Sequence, residues 1–230
     1  MERKKHKVEP RLEKKSPLRF IPLVFYCLIL VCVVSMYGVF HSRHMYFKIE
    51  QESMYPTFNS NQSGLSDAVY VLKNAEYDVG DIVVAEKQEE YFVVKRVIAL
   101  GGDKIGFKLG FDENQKQTYT LVRIVSGTSS YYEMQEIYQN NYYDNKSTYD
   151  SFVNLFSNDN FEVIDGIKFL CLSQNEVFCL GDNRDESQDC ADYGPFTKKQ
   201  IVGKVDIVVK EEKNALFSII AYKLGIKKII

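Results

Sequence analysis

The sequence predicts a mainly β protein: an antiparallel sheet or barrel-like body with an inserted second lobe, carried behind one N-terminal transmembrane helix. Three observations predict it. Residues 45–110 carry short β-prone runs broken by turn residues and show no 3.6-residue period. Strand signals return after residue 166, so the polar, Tyr-rich stretch at 111–165 interrupts one β core instead of following it. Residues 20–40, FIPLVFYCLILVCVVSMYGVF, are a run of 21 without a charge.

At about 1.5 Å rise per residue, that run reaches about 30 Å, the thickness of a bilayer hydrocarbon core. A cleaved signal peptide and a retained anchor both fit such a segment. The run exceeds the roughly 7–15 apolar residues of a signal-peptide core, and Val39-Phe40-His41-Ser42-Arg43 lacks a small-x-small cleavage pattern, so an anchor is expected. Eight cations precede it within 1–19 (Arg3, Lys4, Lys5, Lys7, Arg11, Lys14, Lys15, Arg19), against Arg43 and Lys48 in the twenty residues after it. The positive-inside rule then puts 1–19 in the cytoplasm and the body, from about residue 45, outside the cell membrane. The lipid bilayer is thus the first expected partner.

In the body, a strand at 45–50 leads to QESMYPTF at 51–58, where Ser, Pro and Thr spell a turn. A polar loop at 59–67 precedes strands at 68–72 and 82–86. The stretch 91–100, YFVVKRVIAL, is the most β-prone of all; Gly101-Gly102-Asp103 ends it, and 104–109 starts a return strand. Within 111–165 short strands and a helix near 148–156 are expected. Strands at 167–172, 176–180 and 201–209 complete a core made of 45–110 and 166–210. The tail, 211–230, is apolar but carries Lys223, Lys227 and Lys228, too polar for a second span; it is expected to lie on the membrane surface or pack on the body. Cys171 and Cys179 flank Asn175, and a hairpin there would set them opposite each other, either bridged or as free buried thiols. A net charge of −2 gives no global attraction for nucleic acid.

Ser53 is the candidate nucleophile, and a serine needs a neighbouring base. Histidine is excluded: the chain has only His6, His41 and His44, none inside the body after residue 45, so neither a Ser-His-Asp triad nor a His-based zinc site is expected. Lys95 sits in a strand with apolar neighbours, and alternation sends it and Arg96 to opposite faces. A buried amine loses its preference for charge and becomes a base. An edge-strand lysine reaching water is the alternative. The loop 181–195, GDNRDESQDCADYGP, concentrates Asp, Asn and Ser without the ligand spacing of an EF-hand; no metal and no cofactor is expected.

Taken in order, SMYPT at 53–57, GDIVV at 80–84, KRVIALGGD at 95–103 and GDNRDESQD at 181–189 resemble the motif set of the bacterial type I signal peptidases. The resemblance implies a membrane-bound serine endopeptidase that cuts signal peptides from exported preproteins with a Ser/Lys dyad. Ser53 would be nucleophile, Lys95 general base and Ser187 the hydroxyl that directs the lysine. Asp182, Arg184 and Asp189 would hold the loop together, and the Ser53 N–H would donate to the oxyanion. Three departures stand out: Gln51 where family members carry a small or hydroxyl residue, Gly101 for a proline, and Cys190-Ala191 for Ser-Arg, which removes an arginine partner of Asp189. They motivate an alternative, a peptidase-like accessory protein that assists assembly of a surface structure with weak or no cleavage.

Overall fold

The computed structural model describes residues 21–60, 66–89, 91–135, 145–157 and 160–210. The basic segment 1–19 and the tail 211–230 lie outside them. Two units result, 1–42 and 43–230. Helix α1 (Ile21–Arg43) buries none of its side chains and is long and apolar enough to cross a membrane. A helix apolar on every side has the surface that lipid covers.

The body is built on strands, as expected. In chain order they are β1 (His44–Lys48), β2 (Ala68–Lys73), β3 (Ile82–Gln88), β4 (Tyr91–Leu100), β5 (Lys104–Phe111) and β6 (Gln117–Ile124). Then come β7 (Tyr132–Glu133), β8 (Phe161–Ile164), β9 (Ile167–Cys171), β10 (Glu176–Leu180), β11 (Phe196–Thr197) and β12 (Ile201–Val209). Helices α2 (Lys146–Asn154) and α3 (Cys190–Tyr193) join them. Among the described residues, seven strands form one sheet in the order β1-β2-β12-β3-β4-β10-β11, and five form a second, β7-β6-β5-β9-β8. Pairing is antiparallel throughout, and the second sheet draws its strands from 104–171.

Both faces of the first sheet are covered, which is why its strands read as almost continuous apolar runs. Val83, Ala85, Val93 and Val97 face a core shared with Phe107, Leu121 and Leu170 of the second sheet and Phe152 of α2. On the other face Val69, Val71 and Val84 are covered by Ile49, Met54 and Phe58, from the segment after β1. That burial fixes the turn carrying Ser53 onto the sheet.

Helix α2 forms because Thr148 and Phe152, four apart, share an inward face. The Phe152 ring lies 5.3 Å from Phe107 and 6.0 Å from Phe178, one contact to each sheet. Phe152→Ala is expected to cost about 3 kcal/mol and to lower Tm by roughly 6–12 °C in a thermal melt.

The hairpin expected around Asn175 does not form. β9 pairs with β5 and β8, while β10 pairs with β4 and β11, so the turn between them passes from one sheet to the other. Cys171 and Cys179 are free, and it is Cys190 whose sulfur accepts the Cys179 N–H at 3.2 Å.

Candidate active site

Strand β4 is interior, between β3 and β10, so Lys95 is not an edge lysine. It lies opposite Val83 and is 2% exposed. Alternation puts Tyr91, Val93 and Lys95 on one face, and all three line a cleft of about 580 Å³ together with Ser53 and Ser187. The Lys95 ammonium position donates to Ser187 Oγ at 2.9 Å. Ser187 in turn donates to Asp189 Oδ2 at 2.7 Å. A hydroxyl has one proton, so with Asp189 taking it, Ser187 meets the lysine as an acceptor. Burial lowers the Lys95 pKa, opposed chiefly by the negative charge of Asp189. Burial likewise raises the Asp189 carboxyl, opposed by the Gly181 N–H, Lys95 and the Ser187 hydroxyl.

Arg96 occupies the opposite face of β4. It grips Asp182 with Nε at 2.8 Å and Nη2 at 2.5 Å, a bidentate pair, and Asp182 also accepts from Thr57 Oγ1. Thus one strand offers its amine to the cleft and its guanidinium to the loop that follows β10. That loop also clamps the serine turn: Asn183 N donates to Ser53 O at 3.0 Å, and Asn183 Nδ2 to Glu52 O at 3.0 Å. Arg184, buried, donates to Gly181 O at 2.6 Å.

Gly181 is forced by close approach. A Cβ there would sit 2.2 Å from Ser187 Oγ and 2.4 Å from Ser53 O, so any side chain would push apart the two serines' segments. Gly101 follows the same logic, since a Cβ would meet Gln174 O at 2.4 Å. Asp189 accepts from Gly181 N at 2.9 Å, the Ser187 hydroxyl and Ala191 N at 3.1 Å, feels the charge of Arg184, and caps α3.

The cluster brings Ser53, Lys95, Ser187 and Asp189 together, with Asp182 and Arg184 buried in the loop that carries Ser187. Among the described residues Ser53 makes no side-chain hydrogen bond to Lys95, and the Ser53 N–H has no protein acceptor. Gln51 is directed elsewhere: its amide donates to the Tyr91 hydroxyl at 3.2 Å. Gln51→Ala is therefore expected to change kcat by less than about threefold, where loss of an oxyanion donor costs about 10²–10³; steady-state cleavage rates check it.

Sequence reasoning did not single out Arg96, Thr57 or Asn183. Arg96 was legible from its place beside Lys95 on the other face of the strand; Thr57 and Asn183 lie inside the SMYPT and GDNRDESQD motifs, but their partners are more than a hundred residues away in the chain and could not be read locally.

A mainly β body thus brings a serine, a buried lysine and a second serine to one cleft. A family model described as signal peptidase, peptidase S26, matches residues 18–210. The chain belongs to this signal peptidase family. It is 30% identical over 183 residues to a signal peptidase I of Bacillus caldolyticus, covering 76% of this chain and 84% of that protein. A crystal structure of a signal peptidase I from Enterococcus faecalis V583 aligns at 19% identity with a TM-score of 0.35, over 57% of this chain and 98% of the other.

Proposed function

We propose that the protein is a membrane-bound serine endopeptidase that removes signal peptides from exported preproteins by a Ser53/Lys95 dyad. The observation that carries this is Lys95, buried in an interior strand, donating to Ser187 beside Ser53. Lys95 Nζ takes the proton of Ser53 Oγ as that oxygen attacks the scissile carbonyl carbon. The Ser53 N–H, which has no acceptor among the described residues, donates to the oxyanion. The lysine then gives its proton to the leaving amine, and a water repeats the sequence to release the acyl group. Ser187 holds the amine in line, and Asp189 holds Ser187. The Ser53–Lys95 hydrogen bond closes when substrate fills the cleft, since catalytic contacts tighten on binding.

Helix α1 anchors the enzyme in the cell membrane, and the excess of cations in 1–19 sets the body outside. The test is cleavage of a preprotein bearing small residues at the first and third positions before the cut. The full-length chain in detergent is expected to release the mature protein with a single new N-terminus, read by mass spectrometry. An intact preprotein after prolonged incubation with folded enzyme would sink the proposal.

A further inference from the structure

We propose that Cys179 and Cys190 form a disulfide that clasps, at its neck, the loop carrying Asp182, Asn183, Ser187 and Asp189. Placement is the first observation. Cys179 lies near the end of β10, and the loop that follows returns to its own start, where Cys190 opens α3. Every residue of this loop that the site uses therefore lies between the two cysteines. Two hydrogen bonds already cross the neck: Gly181 N–H to Asp189 Oδ2 at 2.9 Å and Cys179 N–H to Cys190 Sγ at 3.2 Å. The second falls at the register shift between Phe178 and Cys179 in the β4–β10 pairing, where an irregular ladder leaves a backbone donor for another acceptor.

The thiols themselves are the second observation. Both cysteines are fully buried in one core cluster, and a side-chain hydrogen bond joins Cys179 to Cys190. The Cys190 thiol also reaches Val177 O at 3.9 Å, so joining the sulfurs gives up no strong hydrogen bond. Cys171, which the sequence pairs with Cys179, belongs to the second sheet beside Glu162. Burial pushes the Cys179 thiol up and keeps it protonated in the closed loop, so the bridge is made while the loop is open. One cysteine thiolate attacks a sulfur of a small disulfide and expels a thiolate. The second cysteine attacks the protein sulfur of that mixed disulfide and expels the other thiolate. The two protons lost by the cysteines end on the two departing thiols, which also carry away the two electrons. On the topology proposed above the body folds outside the membrane, where disulfides persist.

The test holds the full-length chain, in detergent, a few degrees below its Tm with either oxidised glutathione or dithiothreitol, then cools and alkylates it. The oxidised sample is expected to yield a fragment linked through Cys179 and Cys190, lighter by two hydrogens, with Cys171 alkylated. Its Tm is expected about 5–10 °C above that of the reduced sample, and its half-life on heating several-fold longer. Cys190→Ser is expected to abolish the difference between the two treatments, and Cys171→Ser to keep it. Free thiols at 179 and 190 after oxidation, or a difference that survives in Cys190→Ser, overturns the inference. A linked chain that melts with the reduced one overturns it too, since the bridge would then clasp nothing. Mass and Tm need no catalysis, so failure here leaves the peptidase reading standing.

Discussion

Ser53→Ala is expected to lower the rate of preprotein cleavage by about 10⁴-fold or more, because the residues of a nucleophile–base unit fail together when one is removed. The fold should survive. Ser53 Oγ makes no hydrogen bond among the described residues, and its turn is held by Met54 and Phe58 in the core and by Asn183 on its carbonyl. Activity would vanish while Tm stays within a degree or two of the parent. A parent that binds one surface protein stably yet cuts no preprotein would instead favour the accessory role.

The second large effect belongs to Lys95. Lys95→Met keeps length and removes the base, and it is expected to lower kcat by about 10³-fold or more, with stability unchanged or raised, because an amine is costly to bury and a thioether is not. The pH profile carries the sign. Only the neutral amine can take the Ser53 proton, so kcat/KM rises as pH climbs through the Lys95 pKa. Burial lowers that pKa, which puts the acid limb below the ordinary lysine range. Asp189 is the chief group opposing the shift. Asp189→Asn removes that negative charge and is expected to move the limb to lower pH, with the plateau measured separately. A limb left in the ordinary lysine range, or unmoved in Asp189→Asn, would rule out Lys95 as the titrating base.

Local chemistry made much of this legible in advance. The apolar run at 20–40, the strands at 91–100 and 176–180 and the lack of histidine in the body need no partner to be read. The alternation around Lys95 set it and Arg96 on opposite faces, but not which of the two is buried toward the cleft: only the neighbours β3 and β10 make β4 an interior strand. The hairpin expected at Asn175 failed because a turn's sequence does not say which sheet receives the next strand. The place of α2 beside the cleft was hidden for a similar reason. Ser147 and Ser151 are ordinary helix-surface residues until the fold brings them to a cleft whose other lining comes from residues 51–95 and 185–192.

β4 bears two duties on successive residues, an amine toward the cleft and a guanidinium toward Asp182. Side chains in a strand repeat every second position, so a slip of one residue in the β3–β4 register would exchange them. The guanidinium would then meet Ser187 and the amine Asp182. Base and latch therefore share a single frame: an inserted or deleted residue between Tyr91 and Lys95 would dismantle both at once. A strand-pairing error during folding would yield an inactive enzyme that is also unlatched, and so open to proteolytic removal.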